Sequence, residues 1–464
     1  MNRITSAFLV VLAGAGAASA AGAQLTLGDA IRQADRTAYA NRAAAGTADA
    51  QAAQSLAPLK GILPSVRVEA GYVRTNDPIG VFGATLRQRT VTAANFDPRR
   101  LNYPGAIGNY LGGIVVEQPV FNADAWTGRR AAARATDASR ASEEWTRLST
   151  RVDVVRAYYG AVLAAERART LESAAVAAHA HVAQAEAMVR QGLVTKSDAL
   201  LASVRAGEID MQLAEARGGA ATSRQQLAVL LGGDGGAGAA IPPVPANLPS
   251  SDRIVALTAA DTADVPAGER ADVRAATRGL DAARADALRA GSAWLPRVNS
   301  FARYDWNSAD RLYGGDRNWT VGVMASWNIF AGASDLADVQ ATRGRVAAAQ
   351  AQAEGARAHA RVEVEQSRIA LAVALARLTI AERAAAQSAE AHRIVGRKYE
   401  GGLATVAELL DAQAVETQSA LSLTQARWGA IVAAAERRQA LGLDPATLAA
   451  LDETPAVATQ LTGN

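Results

Sequence analysis

Two periodicities alternate along this chain, and the alternation occurs twice. Val66, Val68, Ala70 and Tyr72 stand at every second position, with Arg67, Glu69 and Gly71 between them. That spacing predicts a strand with one apolar face and one polar or small face. It returns at Val321, Val323, Ala325, Trp327 and Ile329, interleaved with Thr320, Gly322, Met324, Ser326 and Asn328. After each strand region the period lengthens. Val152, Val155, Tyr159 and Val162 recur at steps of three and four, the spacing of one helix face. No proline occurs from Phe121 to Ile241 or from Arg297 to Asp444. Proline inside a helix costs about 3 kcal/mol, so these runs permit very long helices. Residues 123–190 and 332–398 are rich in Ala, Arg, Glu and Gln, and each is expected to form one helix of roughly 100 Å. Gly192 and Gly402 are the stop signals, and Thr195, Ser197 and Thr405 can cap return helices over about 197–231 and 406–441.

The two passes are copies of one unit. Gly113-Ile114 aligns with Gly322-Val323, Phe121 with Phe330, Arg151-Val152-Asp153-Val154 with Arg361-Val362-Glu363-Val364, and Leu231-Gly232 with Leu441-Gly442. The offset stays near about 210 residues, which points to a duplicated fold rather than a solenoid of short repeats. Leu63-Pro64-Ser65-Val66 likewise matches Leu295-Pro296-Arg297-Val298, so the first copy carries a longer insertion beyond that point. The expected organisation is a signal peptide over 1–23 and a first repeat over 24–232, with a strand pair at about 64–122 and a helical hairpin at about 123–231. A Gly/Pro-rich connector with little regular structure follows at 233–265. The second repeat covers 266–443, with its strand pair at about 296–330 and its hairpin at about 332–441, and a mobile tail ends the chain at 444–464.

Composition narrows the class. Arg3, the apolar run from Ala7 to about Ala17, and Ala18-Ser19-Ala20 or Ala21-Gly22-Ala23 read as an export signal cleaved after 20 or 23. The apolar run is well short of the roughly 20 residues a membrane anchor needs. Cysteine is absent, which excludes disulfides, thiolate metal sites and a lipid-bearing cysteine. A formal charge of +3 with dispersed basic residues gives no reason to expect nucleic acid. Aromatics are only 5% of the chain, yet Tyr72, Tyr110, Phe121, Phe301, Tyr304, Trp306, Trp319, Trp327 and Phe330 lie in or beside the strand regions. A soluble β-sandwich edge could collect them, but aromatics on alternating strands of an exported chain fit an outer-membrane barrel better. Two copies supply four strands, whereas membrane barrels begin at eight. Open edges in lipid leave backbone groups unpaired at several kcal/mol each. Several chains must therefore pool their strands; three would give twelve.

Taken together, these features resemble the outer-membrane efflux proteins of the TolC family over essentially the whole mature chain. The resemblance rests on the duplicated plan and the Leu-Pro before each first strand. It also rests on Gln118-Pro119-Val120-Phe121 and Trp327-Asn328-Ile329-Phe330 leading into the long helices. The Gly-Leu-x-Thr tips add to it, followed by Asp198-Ala199-Leu200-Leu201 and Glu408-Leu409-Leu410-Asp411. The stretch from Val81-Phe82-Gly83 to Asn95-Phe96-Asp97-Pro98 resembles the long first-hairpin loop of one branch of that family. The resemblance implies a mixed α+β membrane protein in which a homotrimer shares one β-barrel in the outer membrane and extends an α-helical tunnel through the periplasm of a Gram-negative bacterium. Its implied partners are outer-membrane lipid, a periplasmic adaptor and an inner-membrane pump, proton-driven or ATP-driven, with no cofactor or metal. Gly192, Leu193, Thr195, Gly402, Leu403 and Thr405 would be the adaptor-docking tips, and Glu408, Asp411, Asp198 and Tyr399 the periplasmic gate. Glu408 and Asp411, three apart on one helix face, would form two stacked acidic rings. Where some members lock the mouth with an arginine, this chain has Ala404; Lys196 and Arg397 are the nearby cations.

Other classes fit less well. The four histidines are His179, His181, His359 and His392; the first two are two apart and cannot chelate together as an i, i+4 pair does. No nucleophile elbow or phosphate-binding glycine loop appears, so an enzyme is not expected, and the histidines are read as surface residues. A soluble periplasmic coiled-coil adaptor would show a single hairpin between compact β domains. Within the exit-duct class, efflux and type I protein secretion give overlapping signals.

Overall fold

The computed structural model describes residues 24–236, 241–262, 270–330 and 332–452. The export signal expected over 1–23 lies outside the described residues, as does the end of the tail from 453 on. Each half of the chain builds the same series: helix, strand, strand, very long helix, shorter return helix. In the first half these are α1 (Leu27–Thr37), α2 (Tyr39–Gln54), β1 (Ser65–Thr75), β2 (Ile107–Phe121), α5 (Ala123–Arg190) and α6 (Lys196–Leu230). Between β1 and β2 an insertion adds α3 (Pro78–Arg87) and α4 (Pro98–Asn102). The second half contributes α7 (Ser251–Thr258), α8 (Ala271–Ser292), β3 (Arg297–Ser308), β4 (Asp316–Ser326), α9 (Ser334–Glu400) and α10 (Val406–Ala440). At 68 and 67 residues, α5 and α9 are each about 100 Å long.

The four strands form one antiparallel sheet in the order β1-β2-β3-β4. Across it, Val68 pairs with Ile114, Ile114 with Tyr304, and Tyr304 with Trp319, so these residues share one face. The neighbouring register puts Glu69, Gly113, Asp305 and Asn318 on the other. β4 ends at Ser326, earlier than the alternation suggested. Trp327 instead turns its indole Nε1 to donate to the carbonyl of Trp294 at 3.0 Å, and the backbone leaves the ladder toward α9.

The core sits where α1, α5, α9 and α10 converge, far from either end of the long helices. Val152, Val155, Tyr159 and Val162 are all buried there. On α10, six successive residues from Ala430 to Ala435 are buried; a helix enclosed on all sides needs small residues so that its neighbours can approach closely. The alanine-rich composition serves this packing.

Two segments expected to be irregular contain helical turns among their described residues. The connector folds α7 and a 3-10 turn, Ala259–Thr262, because Ile254 is inserted into the core. The tail forms a 3-10 helix, Pro445–Leu451, whose Leu448 and Leu451 join the same core. Asp452 fastens it. Its carboxylate accepts from the backbone N–H of Leu27 at 2.7 Å and from the Tyr159 hydroxyl at 2.9 Å. The Tyr158 hydroxyl lies 2.8 Å from both this carboxylate and the carbonyl of Leu25. Burial, then the adjacent Asp452 charge, push both phenols far above the ordinary tyrosine range. Leu25, Leu27 and Asp452 are thus tied to one spot on α5.

Candidate functional site: the sheet face and the hairpin tips

Residues with a functional reading gather at opposite ends of the protomer. At the sheet end, the face carrying Val66, Val68, Tyr72, Trp319, Val321 and Val323 is open in the single chain, with Val66 67% and Val323 71% exposed. Aromatic rings line its far end, where Tyr72 lies against Tyr110 and Trp306 against Tyr304 and Tyr313. More aromatics, Trp126, Trp294, Trp327 and Phe330, are exposed where the sheet meets the helices. An apolar band between two aromatic rows is the outward pattern of a membrane barrel. The opposite face is polar and its charges are paired: Arg67 with Glu69 and Glu117, and Arg303 with Glu69 and Asp305. Among the described residues, β1 and β4 each have one edge with no strand beside it.

At the other end, the two hairpin tips have the same local structure. Helix α5 closes with Gly192 at φ +72, whose N–H donates to the Val189 carbonyl at 3.0 Å, while that of Leu193 donates to Met188 at 2.9 Å. Helix α9 closes with Gly402 at φ +72, donating to Tyr399 at 3.0 Å, while Leu403 donates to Lys398 at 2.7 Å. This paired bonding needs a left-handed residue just past the helix, which glycine adopts without steric cost. Thr195 and Thr405 then open the return helices with reciprocal capping boxes. The Asp198 carboxylate accepts from the Thr195 N–H at 2.9 Å and the Glu408 carboxylate from the Thr405 N–H at 2.7 Å, each threonine hydroxyl accepting in return. The tips also present bare leucines: Leu193 is 65% and Leu403 82% exposed.

The candidate gate residues divide by environment. Glu408 and Asp411 are exposed on α10. The Thr405 N–H and hydroxyl hold the Glu408 carboxyl below the usual glutamate range, so it stays charged. Asp411 adds to the field that raises the Arg205 guanidinium on α6, behind the larger effect of Glu208. Tyr399 is instead buried, at 4% exposure, among Ala185, Ala202, Val406, Leu409 and Leu410, with its hydroxyl 3.2 Å from the Met188 sulfur. It fastens the second tip to the first. Ala404 packs against the same cluster, while Lys196 and Arg397 are exposed.

Behind the tips, two of the four histidines, His181 and His392, differ from the surface reading. His392 on α9 bonds through Nδ1 to Glu416 on α10, and its ring meets His181 of α5 edge-on at 6.3 Å. His181 is half-buried and its Nε2 has no hydrogen-bond partner among the described residues; burial, then His392, lower its pKa. His179 pairs with Asp210 at 3.0 Å, and His359 is exposed. Among the described residues no group of three or more His, Cys, Asp or Glu is placed to hold a metal ion. Periodicity could not reveal the His181–His392 contact, because it joins helices more than 200 residues apart in sequence.

A sheet with an outward apolar face and open edges, set on long helical hairpins, defines a protomer of a multi-chain membrane channel. The chain belongs to the outer membrane efflux protein family, whose model matches residues 40–233 and 267–443. It is accordingly a duct component and not an enzyme. No curated protein matches it significantly in sequence. Among solved structures it is similar to the CmeC outer membrane channel of Campylobacter jejuni, with a TM-score of 0.72 and 16% identity over 90% of this chain and 85% of that one. A membrane protein from Pseudomonas aeruginosa gives 0.73 and 21% identity over 90% and 93%. The outer membrane protein VceC of Vibrio cholerae gives 0.71 and 18% identity over 90% and 96%. The expected fold class, with its duplicated mixture of long helices and few strands, is borne out.

Proposed function

We propose that three copies of this chain form an outer-membrane exit duct that carries substrates from an inner-membrane pump, through a periplasmic adaptor, to the outside of a Gram-negative cell. The observation that carries the reading is the sheet: an apolar, aromatic-bordered face joined to two edges that lack a neighbour. In lipid those edges must be paired, and twelve strands from three chains close a barrel. The polar face then lines the lumen, and the long helices continue it as a tunnel.

The tips are the adaptor-docking elements in this reading. Gly192, Leu193, Thr195, Gly402, Leu403 and Thr405 make two rigid turns that each expose a leucine, the kind of anchor a partner helix pair covers. Glu408 and Asp411 set acidic rings at the periplasmic mouth, with Asp198 the matching acid of the first tip. The capping bond fixes the position of the Glu408 charge without neutralising it. Tyr399 acts from inside, as the hinge contact between hairpins. The test is affinity capture of the detergent-extracted protein after cross-linking in cells, with sizing and mass spectrometry. A trimer held to an adaptor and a proton-driven pump is expected. An ATP-driven exporter in its place would assign the duct to protein secretion, and a soluble monomer without partners would overturn the reading.

A further inference from the structure

The insertion between β1 and β2, residues 76–106, has no counterpart in the β3–β4 turn and is not used by the duct reading. Its placement is decided by a buried amide ladder. Gln88 at the end of α3 donates from Nε2 to the Gly108 carbonyl at 3.1 Å and to Asn109 Oδ1 at 2.8 Å, and Asn109 Nδ2 donates to Asn307 Oδ1 at 2.8 Å. Asn307 pairs in register with Leu111, two residues beyond Asn109, so both asparagines lie on the polar face. Arg89 reaches further, donating to the Arg317 carbonyl at 3.3 Å and lying 3.7 Å from Asp316. The insertion therefore folds across the tops of β2, β3 and β4 on their polar side, away from the apolar face.

Its charge is one-sided. Residues 76–106 hold four arginines, Arg87, Arg89, Arg99 and Arg100, against Asp77 and Asp97, with no lysine or glutamate. Both aspartates are turned back onto backbone N–H groups of their own helices, Gly80 and Arg99. Arg87, Arg99 and Arg100 are exposed and make no ion pair among the described residues. The remainder of the polar face is balanced by its own pairs, and the β3–β4 turn offsets Arg311 with Asp310.

We propose that the three insertions form a basic collar over the outer mouth of the duct, a filter that favours anionic solutes at the exit. This rests on the trimeric-duct reading. Rings of like charge select ions when the passage is narrow, because the field of exposed charges fades beyond about 8 Å at physiological salt; the inward fold of the insertion supplies the narrowing.

The experiment is the zero-current potential of the purified trimer in planar bilayers under a KCl gradient. The long helical tunnel cannot cross the bilayer, so the outer mouth faces the chamber opposite to addition. R87Q/R99Q/R100Q is expected to shift the chloride-to-potassium permeability ratio toward potassium by about twofold or more, while R87K/R99K/R100K retains the original ratio. Inorganic tripolyphosphate in the far chamber is expected to block the native channel and not the glutamine variant. Replacing residues 78–104 with a short Gly-Ser linker is expected to raise conductance. Unchanged ratio and block in a glutamine variant that still forms trimers would overturn the collar and leave the duct intact. Failure of the native chain to conduct at all would overturn the duct, and the collar with it.

Discussion

At the scale of single residues, each tip depends on one backbone conformation. Gly402 holds φ +72 and donates its N–H to Tyr399. Gly402→Pro removes the donor and forces φ near −65°, at a local cost of about 3 kcal/mol or more. It should abolish export while leaving the barrel inserted, read by an efflux assay beside outer-membrane fractionation. The Glu408 carboxyl is held low by its bonds to Thr405. A depressed folded pKa contributes stability above the unfolded value near 4.5, lost only as pH falls through the lowered folded one. The cap and its charge therefore persist throughout the neutral range. Glu408→Gln with Asp411→Asn should weaken divalent-cation block in planar bilayers without altering trimer assembly; unchanged block would remove the acidic-ring assignment. The glycine and threonine of each tip were legible in the sequence because capping is local chemistry, whereas the part of Asp198 and Glu408 in the caps came from the structure. The burial of Tyr399 was not, because its neighbours Ala185 and Met188 come from the other hairpin.

At the scale of elements, the hairpins were legible from proline-free runs and helical spacing, whereas the contacts between them were not. His181 on α5 and His392 on α9 bring two ionisable rings together next to Glu416, with Tyr399 further down toward the tip. Burial and His392 lower the His181 pKa. The linked stability is present above about pH 6.5 and is lost as pH falls through the folded value. Protection from hydrogen exchange around 178–185 and 389–396, measured against the intrinsic exchange rate at each pH, should fall on acidification from pH 7 to 5, and His181→Leu should flatten that response. The C-terminal 3-10 helix shows the same limit of sequence reading. Its short apolar set, Leu448 and Leu451, has no period to betray burial, and packing in the core together with the clasp of Asp452 on Tyr159 and Leu27 fixes it. Asp452→Ala leaves the Leu27 N–H and the Tyr159 hydroxyl unpaired and should cost about 3 kcal/mol, seen as a lower unfolding midpoint of the detergent-solubilised protein.

At the scale of the whole molecule, the strand count decides the assembly. Four strands with two open edges cannot stand alone in lipid. A charge on the apolar face, Val68→Arg or Val323→Arg, should cost about 2 kcal/mol or more near the middle of the membrane and reduce outer-membrane insertion. A polar change on the opposite face, such as Asn318→Ser, should leave insertion intact. The need for an oligomer could be argued from counting strands. Which face meets lipid along all four strands required the register, because a shift by one residue exchanges the faces.

The sequence by itself determined the duplication, legible as one pattern written twice along the chain, and the helix lengths, the turns and the alternation of the strands, which depend on residues within a few positions of one another. The tertiary structure alone decided what meets across hundreds of residues. It placed Tyr399 against the neighbouring hairpin, joined Asp452 to Leu27 and Tyr159 and folded the insertion over the polar face of the sheet. These contacts arise from packing and hydrogen-bond satisfaction among surfaces far apart in the chain, and those constraints leave no period along it.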